Sequence, residues 1–240
     1  MKLPSKKSKS DVTLKESIWW IYGAPGIGKS SLANSFGDVL FLHDDPGVRP
    51  IEAYKLKCST WSKFTKAVKL LDKGGVKKYD AIAIDKIETM YTYALIHFCN
   101  QNGIKHISDL EWGKGYDMIR IDFLKTITTL VGLGKAIIFI SDSKTVQIEG
   151  AHTKVDKITP AVKGACAGII FPLVDICGYI GFKNGEESTE NRRIFFSPLE
   201  TRDAKNRDGM LPNSVPLPSA STGLADIIAA VKKKKKKKKK

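Results

Sequence analysis

At 240 residues the chain is long enough for one sizeable α/β domain, since single cores grow to roughly 250 residues before they split. With 42% apolar residues, no apolar run near the roughly 20 residues of a membrane span, and no apolar stretch behind the basic start, neither a membrane protein nor a secretory leader is expected, and the location reads as cytoplasmic. The formal charge is +15, but the lysine run at 232–240 supplies nine of these charges and leaves a mildly basic body of +6; the run reads as a solvated tail or an added tag with salt-dependent affinity for polyanions.

In chain order, residues 1–14 are Lys/Ser-rich and read as a flexible basic segment, with the domain proper over 15–231 and the polylysine tail after it. SIWWIYG (17–23) has the continuous apolar character of a buried parallel strand. A helix follows from Lys29 to the cap at Gly37, then a strand over 38–42. A second helix starts at Ser59 or Thr60, carries Trp61, Phe64, Val68 and Leu71 on one face, and stops at Gly74. YDAIAID (79–85) is a strand ending on an acid. Ile87, Met90, Tyr91, Ala94, Leu95 and Phe98 recur at helical spacing up to Gly103, and a longer helix covers 112–134. KAIIFIS (135–141) is another buried strand.

Beyond Ser141 the pattern changes. A polar, lysine-bearing stretch from Asp142 to Lys163 reads as a loop and leads into a small-residue segment. Residues 175–182 and 192–199 form a hairpin across a loose turn, and 224–231 close the body as a short helix. Strands alternating with helices predict an α/β fold, a mostly parallel sheet flanked by helices, with a C-terminal β-hairpin. The four cysteines, Cys58, Cys99, Cys166 and Cys177, form no CxxC pair and read as small buried thiols.

The chemistry concentrates in one stretch. Gly23-Ala24-Pro25-Gly26-Ile27-Gly28-Lys29-Ser30, followed by Ser31, fits G-x-x-x-x-G-K-[ST] between a buried strand and a helix start. Glycines there let successive backbone N–H groups turn inward onto phosphates. Lys29 is expected on the β- and γ-phosphates of ATP and the Ser30 hydroxyl on Mg²⁺. The metal also needs an acid at the end of a neighbouring buried strand, and Asp85 is placed for that. Hydrolysis requires a carboxylate to orient the attacking water. Lys86 holds the position directly after Asp85, so the candidate is Asp45 in FLHDDPG, with Asp44 beside it; Glu88 is weaker because a helix start there would aim it elsewhere.

On YGAPGIGKSSLA, DVLFL..DPG, YDAIAID.IE, KAIIFIS.SK and ETRDAKNRDGMLP, the chain from Ile18 to about Val231 resembles the phage RecA-like ATPases of the Sak single-strand-annealing group. The resemblance implies a RecA-like P-loop NTPase core, ATP and Mg²⁺, single-stranded DNA as partner, and self-association into a ring or filament. By it, Lys29 and Ser30 fall on cradle positions, Asp85 on the metal aspartate, and Asp45 where a catalytic glutamate is usual. Lys86 replaces a small hydroxyl residue. Asp142 replaces a neutral γ-phosphate sensor and would repel phosphate unless metal or lysine compensates. Lys205 and Arg207 match cations that reach the γ-phosphate of the next subunit, an arginine-finger arrangement. Lys144, Lys154, Lys157 and Lys163 fall where RecA-like proteins keep DNA-binding loops.

The leading expectation is an ATP-binding, single-stranded-DNA-binding recombination protein, oligomeric, with weak or DNA-dependent hydrolysis. A non-hydrolysing scaffold or helicase-loader-like module is the alternative, because the unusual Asp45, Lys86 and Asp142 would not handicap it. A small-molecule or nucleotide kinase uses the same cradle but usually adds an arginine-rich lid, whereas the cations after the last core strand here are mainly lysines.

Overall fold

The apolar run at 18–23 makes β1 (Ile18–Gly23), buried at all six positions as a strand covered on both faces must be. The structure, a computed structural model, describes residue 5 and residues 13–109, 114–149 and 154–237. The expected flexible segment 1–14, the first residues of the helix expected at 112–134, and the end of the lysine tail therefore lie largely outside the described residues. On one side of β1 runs β5 (Ala136–Glu149) and on the other β7 (Ile176–Phe182), both parallel to it. Beyond β5 come β4 (Ala81–Asp85), β2 (Val39–His43) and β3 (Tyr54–Lys57), all parallel. Beyond β7 the sheet turns antiparallel through β8 (Arg192–Phe195) and β10 (Ser214–Pro216), while the short β9 (Lys205–Asn206) also pairs with β7. The strand order is thus β10-β8-β7-β1-β5-β4-β2-β3, the expected α/β fold with its C-terminal hairpin β7–β8.

Period-two alternation sends successive β1 side chains to opposite faces. Trp19 and Ile21 pack with α1 (Lys29–Asn34) and α6 (Gly223–Lys237). Ile18, Trp20 and Tyr22 pack with α2 (Trp61–Asp72), α3 (Ile87–Gln101), α4 (Lys114–Val131) and α5 (Gly164–Leu173). Helix α2 is built as its sequence indicates: the Thr60 hydroxyl accepts from the Lys63 N–H at 3.2 Å, and Trp61, Phe64, Val68 and Leu71 are buried. Trp61 in turn stacks on Phe123 of α4 with ring centroids 5.5 Å apart. No helix among the described residues is long and apolar enough to cross a membrane.

Several elements differ from expectation. The stretch after Ser141 is not a loop at its start: β5 runs on to Glu149 and folds back antiparallel as β6 (Lys154–Pro160). Val146, Ile148 and the Val155 paired with Ile148 share one side of this ribbon, an alternation that lysine content alone does not reveal. The small-residue segment becomes α5, burying Cys166, Ile169 and Ile170. Helix α6 continues past Val231 to Lys237, because lysine is a good helix former and Lys234 Nζ donates to the carbonyls of Gly209 and Leu211. Strand β3, exposed at all four residues, carries no burial pattern to announce it. As expected, the cysteines are free thiols, three buried and Cys99 half-buried.

Candidate functional site

In an open parallel sheet, ligands gather at the carboxyl ends of the strands. Here β1, β2, β4 and β5 all deliver functional side chains to that edge. Gly23 at the end of β1 lies beside Asp142 of β5, and Asp85 at the end of β4 lies between His43 of β2 and Ile140 of β5. The loop after β1 turns through Gly26 (φ 76°) and Gly28 (φ 100°), left-handed conformations that other residues resist. A Cβ on Gly26 would meet nothing within 4 Å, so the backbone there borders open space, beside Pro25 and Gly28. The first turn of α1 has no side-chain cap, leaving the N–H groups of Lys29, Ser30 and Ser31 without intrahelical acceptors. Together these residues wall a cavity of about 390 Å³ that Asp45, Lys86 and Asp142 close from the other side.

The charges in this cavity are tightly interlocked. Lys29, only 6% exposed, donates to the carbonyls of Gly23 (3.0 Å) and Ala24 (2.9 Å) and to Asp142 Oδ1 (2.8 Å). Lys86 reaches Asp142 Oδ2 at 2.6 Å and Asp45 Oδ2 at 3.0 Å. Asp142 is therefore compensated by two lysines. Burial pushes its pKa up, yet the two ammonium groups outweigh burial and hold it below the usual carboxylate range. Asp45 behaves likewise: burial raises it, but the Gly47 N–H on Oδ1 at 2.6 Å and the Lys86 ammonium lower it further. Lys86 is pushed down by burial and more strongly up by the same two carboxylates. Asp85 has the opposite balance, burial raising its pKa despite the Ser30 hydroxyl that donates to it at 2.5 Å.

A family model described as an AAA domain matches residues 15–208. The chain belongs to this AAA-domain family. A comparison with curated proteins found no match. The membership carries with it a nucleotide-binding P-loop ATPase fold that generally works with ATP and Mg²⁺, and the residues of this AAA domain fit both. Open space over the Gly26 backbone suits a polyphosphate, and the Ser30–Asp85 pair is a hard oxygen set suited to Mg²⁺.

Other sequence candidates lie elsewhere in the AAA domain. Asp44 turns from the cavity to accept from the Tyr93 hydroxyl and to pair with Lys57 at 3.5 Å. Lys205 donates to the Phe171 and Pro172 carbonyls, and Arg207 to Pro172 and Val174 while pairing with Asp175. Within one chain both cations clasp the end of α5 and neither lines the phosphate cavity. Of the hairpin lysines, Lys144 donates to the Val162 carbonyl and Lys157 pairs with Asp203 at 2.7 Å, whereas Lys154 and Lys163 are exposed. Glu88, the weaker candidate for the water-orienting carboxylate, does not line the cavity; it is mostly buried, and its Oε1 accepts the Asp142 N–H at 3.0 Å. Burial pushes its carboxyl up to about 7, and Oε2 has no partner among the described residues. Nothing local marks Lys86 as an ion-pair hub, because its partners arrive from β5 and from the loop after β2.

Proposed function

We propose that the chain is an ATP-binding, single-stranded-DNA-binding recombination or annealing protein that works as an oligomer, with hydrolysis that is weak or depends on DNA. One observation carries this reading: β5 is a single strand that passes Asp142 in the phosphate cavity and continues directly into the β5–β6 hairpin with Lys144, Lys154 and Lys157. A change of nucleotide at Asp142 is thereby coupled through one backbone to a basic ribbon. At the base of that ribbon the Asp142 carbonyl accepts from Ala161 N, and the Tyr22 hydroxyl of β1 reaches the Ile158 and Asp203 carbonyls. In this reading Lys29 binds the β- and γ-phosphates, Ser30 and Asp85 hold Mg²⁺, and Asp45 orients the attacking water. The depressed basicity of Asp45 favours slow turnover. Backbone-directed lysines with no base-reading element favour strands of any sequence. Lys205 and Arg207 would act on a neighbour's nucleotide, with charge supplied on assembly. The sequence resemblance to the Sak group supports the recombination role.

The deciding experiment is ATP hydrolysis by the full chain with and without single-stranded DNA, against Lys29→Ala. Stimulation by DNA that disappears in the variant is expected; fast turnover that DNA does not change, or no turnover at all, would overturn it. ATP binding without turnover under any condition would favour the non-hydrolysing scaffold, a reading supported by the Lys86–Asp45 pair. The kinase reading gains no support, since β7–β8 is built into the sheet and does not lie over the cavity as a lid.

A further inference from the structure

Lys86 follows Asp85 at the end of β4, and its ammonium lies on the wall of the phosphate cavity. Its contact to Asp142 Oδ2 at 2.6 Å mirrors that of Lys29 to Oδ1 of the same carboxylate at 2.8 Å. One carboxylate is thus gripped by two ammonium groups, and one of these is the cradle lysine. A carboxylate and a terminal phosphoryl group present the same feature to such a pair: oxygens on one central atom that share negative charge.

We propose that Lys86 is a second phosphate-binding cation, acting in the same chain as Lys29 on the terminal phosphoryl group of a nucleoside triphosphate, with Asp142 holding the place between the two lysines until that group displaces it. The inference rests on the ATP-binding reading above and deepens it. Charge and solvent exposure support the exchange. Lys29 and Lys86 face Asp45, Asp85 and Asp142, so the side chains of the cavity do not carry surplus positive charge for an incoming polyanion. Lys29 and Lys86 become available only if they let go of Asp142. Asp142 and Lys86 are 22% and 23% exposed at their side chains, so a displaced carboxylate has solvent beside it to enter. A diphosphate ends one phosphoryl group short, so it engages Lys29 and leaves the Asp142–Lys86 pair closed. Lys86 would then be the residue that tells a triphosphate from a diphosphate.

A counter-ion that merely neutralises Asp45 and Asp142 would have a different signature, and variants separate the two. The full chain is titrated with ADP and with a non-hydrolysable ATP analogue, both with Mg²⁺, by calorimetry. Thermal unfolding without nucleotide accompanies each variant. Lys86→Met is expected to weaken the triphosphate analogue roughly tenfold or more while changing ADP by less than about threefold. Asp142→Asn is expected to tighten the triphosphate, the opposite direction, because the place between the lysines is then held less strongly. The double variant is expected to keep the lost discrimination of Lys86→Met. Lys86→Arg, which preserves the charge and folds if Lys86→Met does not, is expected to retain the preference. Equal weakening of both nucleotides in Lys86→Met, or a double variant that regains the original ratio, would overturn the proposal. If the unaltered chain binds neither nucleotide, or Lys29→Ala binds both as well, the ATP-binding reading itself fails and takes this one with it.

Discussion

The Ser30 hydroxyl donates to Asp85 across 2.5 Å, joining the first turn of α1 to the end of β4 at the floor of the phosphate cavity. In that position the two oxygens can serve either each other or a divalent cation. Burial pushes the Asp85 carboxyl up, so without a cation the neutral form gains; a dication beside it favours the ionised form. Asp85→Asn keeps the size and the hydrogen bond and removes the charge. It should therefore weaken nucleotide binding by about tenfold or more in Mg²⁺ and change it little in a chelator. Equilibrium titrations under both conditions check this.

Asp45 is constrained at both oxygens, by the Gly47 N–H and by Lys86. Asp45→Asn can keep the first of these contacts, and with it the turn at Pro46–Val48, while losing the negative charge. If Asp45 orients the attacking water, turnover should fall roughly a hundredfold with ATP affinity retained. Single-turnover kinetics at saturating ATP measure the first quantity and titration the second.

Gly28 shows how the phosphate loop depends on the C-terminal part of the chain. Its φ of 100° excludes a comfortable side chain, and a Cβ would lie 2.8 Å from Cβ of Ala220. Gly28→Ala should cost at least about 1–2 kcal/mol from the left-handed backbone alone, with the clash adding to it. Ala220→Gly in the same chain should recover the steric part only. Urea denaturation of the two variants and their combination reads both contributions.

These residues also mark what was legible beforehand. β1, α2 and β4 stand in the sequence because their burial patterns are local, and the phosphate loop does because its glycines answer a local backbone requirement. Asp142 was visible as an oddity, but its meaning depends on the register that sets it beside Gly23. Lys86 looks like a departure from a family pattern; only when the ends of β4 and β2 meet β5 does it become the bridge between Asp45 and Asp142. The hairpin β5–β6 was hidden by its own lysines, although Val146 and Ile148 alternate within it. Glu88 stays out of the cavity, as a helix start there suggests, but where it goes instead is not local information, because a helix start fixes the direction of a side chain only relative to its own axis. Here α3 begins close enough to β5 for Oε1 to reach the Asp142 N–H.

Glu88 also gives a pH dependence whose sign follows directly. Its carboxyl stands at about 7 in the folded chain against an ordinary 4.5, chiefly through burial. Between those values the folded state binds more protons than the unfolded one, so stability falls as pH rises through this window. Above about pH 7 the full cost of ionising the buried carboxyl is present, on the order of 3 kcal/mol. Glu88→Gln keeps an oxygen for the Asp142 N–H and removes the ionisation, at the expense of an amide donor placed where Oε2 has no partner. The variant should therefore match or trail the parent at pH 5 and gain on it steadily up to pH 8. Urea unfolding of both chains at the two pH values tests this, and parallel stability curves would mean that Glu88 titrates as an ordinary exposed carboxylate.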